Sequence, residues 1–273
     1  MTQDVAPFRV RTLQQTSCVS LTRFDHPPGA ALTDSEEQAA ERFQINVVEQ
    51  GWFRLGYGRR EWTLGAGSIF LSRPNDVYRY SHMRHLQPDT CLTIESSAAT
   101  GELARVFNRA ALVLPVTNRL RFLRLQLCSR TTDDSPMALD SLACELLGAA
   151  VNAHDDRRHL YGPEQLKWYA QRIAAARDLM DADPTAEHSL WHLSSQVAMS
   201  PFLFARVFRE LIGLPPHKYL VRLRLERART LLQSGMSVTD ACYAAGFNNL
   251  SHFIRTFRRH FGCVPSVAKS VRA

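Results

Sequence analysis

Among its six cysteines (Cys18, Cys91, Cys128, Cys144, Cys242 and Cys263) this 273-residue chain has no C-x-x-C pair. That lack argues against a zinc site and against a disulfide framework, and fits a reducing compartment. Long apolar runs are also missing: no uncharged stretch approaches the roughly 20 residues of a membrane helix, so no membrane partner is expected. The opening residues, MTQDVAPFRV, carry an acid and lack an apolar h-region, which predicts no secretory signal and a cytoplasmic protein. A reactive cysteine cluster and a metal triad are both absent by spacing, so neither a cofactor nor catalysis is expected.

What is present is unevenly placed. The net charge is +7. From Pro163 to the end there are 15 Lys and Arg against 8 Asp and Glu, whereas the preceding 162 residues hold 18 of each. All the excess positive charge therefore lies in one part of the chain, as expected if that part alone meets a polyanion.

Period-two alternation fills the first third: FQINVVE (43–49), WFRLGY (52–57), SIFLSR (68–73), DVYRY (76–80) and CLTIE (91–95). Such closely spaced, half-apolar runs predict strands of a β-barrel or sandwich. From Asn118 the period lengthens. NRLRFLRLQLCSR and PMALDSLACELLGAAVNAH place apolar residues three and four apart, which predicts a helical hairpin over Asn118–Ala153, closed by the polar turn TTDDSP. The aperiodic HDDRRHLYG (154–162) is expected to be a linker between a first domain, 1–153, and an all-helical second domain, 163–273.

The second domain repeats itself. FARVFRELIG and FIRTFRRHFG both read Phe-x-Arg-x-Phe-Arg, starting at Phe204 and Phe253, 49 residues apart. Each ends in Gly (Gly213, Gly262), with Pro three further on (Pro216, Pro265). Before each lies a capped short helix, starting after Ser189 in the first copy and after the Ser237–Asp240 capping box in the second. Ala198 and Gly246 supply the turns, Ser200 caps the first long helix with Pro201 at its first position, and Asn248 or Asn249 caps the second. A short helix, a tight turn and a longer helix make a helix-turn-helix, and this chain writes two.

On each long helix the residues sort by face. Phe204, Phe208 and Ile212, like Phe253, Phe257 and Phe261, are spaced for the core. The opposite faces offer Phe202, Ala205, Arg206 and Arg209, and Ser251, His252, Arg255, Arg258 and Arg259. Arginine can bond guanine bidentately or clamp a phosphate, so such a face suits double-stranded DNA. Between the copies a helix with an apolar stripe of Val221, Leu225, Ala228 and Leu232 runs to a terminating Gly235. Its 18 or so residues span roughly 27 Å at 1.5 Å each, near the roughly 34 Å between successive major grooves on one face of DNA.

At these residues the chain resembles the AraC/XylS family of bacterial transcriptional regulators. GFNNLSHFIRTFRRHFGCVP fits the family pattern Gly-Phe-x-x-x-Ser-His-Phe-x-Arg-x-Phe-Arg-x-x-x-Gly-x-x-Pro, RLRLERARTLL resembles its connecting helix, and the likeness covers about 164–268. The resemblance implies that Ser200–Leu211 and Asn249–His260 are recognition helices. It places Phe202, Ala205 and Arg206, and Leu250, Ser251, His252 and Arg255, at base-contacting positions. Phe202, Ala205 and Leu250 would give only apolar contacts such as to a thymine methyl, and Arg209, Arg258 and Arg259 would hold phosphates.

For the first domain the resemblance implies a cupin-like β-barrel with helices, an α+β two-domain chain overall, a bound small-molecule effector and a homodimer. LGAGSIFLSRPNDVYRY looks like the core of such a barrel. Tyr78 stands where enzymatic cupins would place a metal-binding His, and His82 and His85 make a poor substitute pair, so no metal is expected. The effector candidates are Trp52, Arg54, Tyr57, Arg73, Tyr78 and Tyr80. The reading is a regulator acting on promoter or operator DNA, with RNA polymerase as a further partner. A bifunctional enzyme with a DNA-binding tail and a ligand-free architectural DNA-binding protein remain the alternatives.

Overall fold

The computed structural model describes residues 9–26, 36–82, 89–96, 101–129, 136–153 and 160–270. The chain divides into two compact units, Met1–Tyr161 and Gly162–Ala273. Most of the expected linker (154–159), the expected hairpin turn (131–135) and His85 lie outside the described residues.

In the first unit the expected barrel takes the form of two facing antiparallel sheets. One has the order β1 (Arg9–Gln15), β2 (Val19–His26), β9 (Asp89–Ser96), β4 (Gln44–Gln50), β7 (Ile69–Ser72); the other β3 (Glu36–Ala39), β8 (Val77–His82), β5 (Trp52–Tyr57), β6 (Arg60–Gly65). Between them lies a cluster of Val48, Phe53, Leu55, Leu64, Phe70 and Tyr78. Strands β4 and β7 are buried on both faces, because Ile45, Val47, Ile69 and Leu71 also point away from that cluster into a second apolar layer.

Among its described residues this unit has three helices: α1 (Gly101–Arg109), α2 (Asn118–Cys128) and α3 (Pro136–Val151). Thr117 caps α2 by accepting from the Leu120 N–H at 3.1 Å. The segment between α1 and α2 is tied to β7, with the Leu71 N–H donating to Leu112 and the Leu114 N–H to Ile69. The leucines of the hairpin (Leu120, Leu123, Leu127, Leu139, Leu142, Leu146) are buried within the unit. Met137, Ser141, Cys144 and Gly148 form an exposed stripe along α3 that holds no charged residue.

The second unit is all helical: α4 (Pro163–Ala182), α5 (Leu190–Gln196), α6 (Pro201–Ile212), α7 (Pro216–Gln233), α8 (Val238–Ala244), α9 (Leu250–Phe261) and α10 (Pro265–Ser270). Helix α7 serves two cores. At its start Tyr219 meets the Phe208 ring edge to face at 5.7 Å. Further along, Leu225, Ala228 and Leu232 join Ala241, Cys242, Ala245, Phe247, Phe253 and Phe257. Val221, expected in that stripe, is only partly buried, because the stripe turns toward the first core at Tyr219 and Leu220. No described helix is long and apolar enough to cross a membrane.

Candidate nucleic-acid interface

The two helix-turn-helix units are built alike at their caps and turns, although the second turn, from Gly246 to Asn249, is one residue longer than that from Ala198 to Ser200. Ser189 accepts from the His192 N–H to open α5, and Ser237 accepts from the Asp240 N–H to open α8, both at 3.0 Å. Each short helix closes with the same pair of bonds: Ala198 N–H to Ser195 and Met199 N–H to Ser194, matched by Gly246 N–H to Tyr243 and Phe247 N–H to Cys242. This double bond needs a left-handed residue at the turn. Gly246 adopts it at φ 89°, whereas Ala198 is held there at φ 51°.

The longer helices α6 and α9 follow. Ser200 accepts from the Leu203 N–H at 3.4 Å, and Asn249, rather than Asn248, accepts from the His252 N–H at 2.8 Å. Their inner rings repeat as well: Phe204–Phe208 and Phe253–Phe257 both sit 5.5 Å apart, edge to face. Phe261 departs from the expected core position. It is only partly buried, packs on Phe257 and lies under the Arg229 guanidinium at 4.9 Å. Both helices end at left-handed glycines, Gly213 and Gly262, whose N–H groups bond Arg209 and Arg258 carbonyls.

The outer faces carry the residues the sequence singles out. Phe202 is 88% exposed at the first turn of α6, with Arg206 and Arg209 exposed below it and Ala205 half-buried. On α9, Ser251, His252, Arg255, Arg258 and Arg259 are exposed, while Leu250 is partly spent on the core beneath. Among the described residues none of Arg206, Arg209, Arg255, Arg258 and Arg259 is paired with a carboxylate. Five guanidinium groups are thus kept in water on the outer faces of α6 and α9, where an anionic partner could take them. Sequence reasoning missed Trp191, 73% exposed at the start of α5. Its counterpart in the second copy is the polar Thr239, and that mismatch was the available signal.

The effector candidates are not brought to one place. Tyr57, Tyr78 and Tyr80 point between the two sheets. Tyr57 and Tyr78 stack at 5.3 Å, and Tyr80 sits beside Phe53 and Phe70 at 6.1 and 6.4 Å. Burial pushes the Tyr80 hydroxyl up to about 12, and that of Tyr78 further still. The fully buried Tyr78 has a packing role: its hydroxyl accepts from the Arg73 N–H at 2.8 Å and donates to Asp76 at 3.2 Å. Arg73 holds the end of α1, donating to the Phe107 and Ala110 carbonyls at 3.0 and 3.2 Å. Trp52 and Arg54 lie on the opposite, exposed face of β5, where Arg54 pairs with Glu61 at 3.4 Å.

Buried polar groups also line the space between the sheets: Asn46 donates to Ser72 at 2.9 Å and accepts from Thr93 at 2.8 Å. Among the described residues no group of three His, Cys, Asp or Glu gathers as a metal site.

Two family models match this arrangement: an AraC-like ligand binding domain over residues 30–147 and a helix-turn-helix domain over residues 193–270. The chain belongs to the AraC/XylS family and is a DNA-binding transcriptional regulator. It is 26% identical to the HTH-type transcriptional activator RhaS of Klebsiella pneumoniae over 238 residues, 81% of this chain and 83% of that one. RhaS of Escherichia coli O1:K1 is 40% identical over 85 residues, 30% of this chain and 31% of that one. A solved transcriptional regulator of the AraC-type DNA-binding domain proteins, from Chromobacterium violaceum, matches at 34% identity over 38% of this chain and 93% of that one, with a TM-score of 0.36.

Proposed function

We propose that α6 and α9 enter successive major grooves of double-stranded operator DNA. Arg206, Ser251, His252 and Arg255 read base edges, Phe202, Ala205 and Leu250 make apolar contacts, and Arg209, Arg258 and Arg259 hold phosphates. The observation that carries this reading is the duplicated helix-turn-helix with its unpaired, outward arginines. Ser200 and Asn249 contribute through their caps, which aim the N-terminal turns of the two helices.

The test is enrichment of duplexes from a randomised pool by the full-length chain, followed by footprinting. Two adjacent protected grooves per chain support the reading; protection of one groove, or no enrichment of any sequence, overturns it.

The first unit, 1–153 in this reading, is assigned the binding of a small-molecule effector in the space between the sheets, next to Tyr57, Tyr80 and the Asn46–Ser72–Thr93 chain. The AraC-like ligand binding domain match supports this assignment. Homodimer formation is assigned to the exposed uncharged stripe of α3. A cytoplasmic regulator without enzymatic activity, acting on transcription together with RNA polymerase, completes the proposal; the relatives named as transcriptional activators favour activation.

A further inference from the structure

The end of α4 and the loop after it touch both helix-turn-helix units. Tyr219, near the start of α7, donates to the Asp181 carboxylate at 2.8 Å. Five residues on, Arg224 reaches back to the same loop, its Nε donating to the Pro184 carbonyl at 2.7 Å and its Nη2 to the Ala186 carbonyl at 3.0 Å. Asp183 stiffens the loop, accepting from the Thr185 N–H at 2.9 Å and from the Thr185 hydroxyl at 2.6 Å, while its carbonyl meets the His188 imidazole at 2.7 Å. Three residues after Ala186 comes Ser189, the cap of α5, so this loop sets where the first helix-turn-helix begins.

The second helix-turn-helix rests on the same place. Gly246, the left-handed turn residue between α8 and α9, sits so close that a Cβ there would meet the Thr185 Cα at 3.0 Å and the Arg224 Nε at 3.0 Å. The turn of the second reader is therefore seated on the loop that launches the first, with the Arg224 guanidinium filling the angle between them. A planar guanidinium with two bonds to two carbonyls fixes direction as well as distance, which a single ammonium does not. Helix α7 alone would leave its two ends free to twist and bend against each other; this second tie closes the frame.

We propose that Arg224 is a positioning residue for DNA readout: by locking the loop 183–188 to α7 and to the Gly246 turn, it holds α6 and α9 at one separation, so the protein accepts only one spacing between the two sequences it reads. The proposal rests on the two-groove reading above. Arg224 lies on neither recognition face, so its effect on binding would pass through the geometry of the readers rather than through a contact to DNA.

The experiment uses the full-length chain and the best duplex it enriches from a randomised pool. Companion duplexes have one base pair inserted or removed between the two footprinted grooves, and a further one has the α6 groove scrambled. The unaltered chain is expected to lose binding at least tenfold on insertion or deletion. Arg224→Met is expected to bind the parent duplex several-fold more weakly, to lose less than threefold more on insertion or deletion, and to bind the scrambled duplex as the unaltered chain does. Arg224→Lys, keeping the charge and one bond, should fall between the two, and its melting profile guards against a variant that fails to fold.

An undiminished spacing penalty in both variants overturns the proposal. So does an equal loss on the parent and scrambled duplexes, which would mark Arg224 as a general support of the fold. Failure of the unaltered chain to enrich any duplex overturns the two-groove reading itself, and this proposal with it.

Discussion

Arg255 and Phe257 sit two residues apart on α9 and should fail in opposite ways. Arg255 is exposed and carries no fold contact, so Arg255→Ala is expected to leave the melting profile unchanged while costing roughly 1–3 kcal/mol of discrimination at one base pair. Equal losses on operator and random DNA would reduce it to a phosphate contact. Phe257 is fully buried against Phe253, and Phe257→Ala should cost roughly 3–5 kcal/mol of stability, seen as a lowered midpoint in urea. The cysteines divide in the same manner. Burial pushes Cys91 up to about 12 and Cys128 up to about 11, and Cys242 is raised too, whereas Cys18 and Cys144 are exposed. Thiolate is the reacting form, so a thiol reagent at neutral pH should label Cys18 first, read by peptide mass mapping, with Cys144 joining it only where α3 is not paired. Fast labelling of Cys91 would show that the space between the sheets opens readily.

Helix caps were the elements most legible in the sequence, because a cap is decided within four residues. Ser189, Ser200 and Ser237 all cap where their spacing predicted, and the five strands read from alternation all form. Strands β1, β2, β3 and β6 and helix α1 were not read. The first three are rich in polar residues on edge or half-exposed positions, and α1 has only nine residues, too few for its period to stand out. Contacts between distant segments leave no local trace: nothing in the sequence near Arg224 announces the carbonyls of Pro184 and Ala186, and nothing near Arg73 announces those of Phe107 and Ala110. The turn residues give a paired test. Ala198 bears a left-handed conformation that costs a non-glycine residue roughly 1–2 kcal/mol, of which the extra freedom of unfolded glycine takes back about half to one. Ala198→Gly should therefore raise the thermal midpoint slightly. Gly246→Ala should lower it clearly, because strain and the collision with Thr185 add. Equal small effects at both positions would mean that the loop around Thr185 yields easily.

For the whole molecule, the uneven charge predicts separable behaviour. A fragment from Pro163 to Ala273 should bind DNA alone, since that stretch holds the entire charge excess and forms a compact unit from Gly162 onward. With three phosphate contacts, from Arg209, Arg258 and Arg259, its log affinity should fall with log salt at a slope of about −3. A flat response would remove the electrostatic argument. The full-length chain, if paired through α3, should protect two half-sites where the fragment protects one, the gain arising from effective concentration. Sedimentation as a monomer at micromolar concentration would sink that expectation. The hairpin leucines are buried within the first unit, so pairing through this hairpin would rest on Met137, Ser141, Cys144 and Gly148.

The two readers are copies in backbone but not in side chains: α6 opens with a bare phenyl ring and ends with few charges, while α9 bears His252, Arg255, Arg258 and Arg259. If both helices enter adjacent grooves as proposed, those grooves are asked for different sequences, so one bound chain would have a heading along the double helix and its target would need no symmetry.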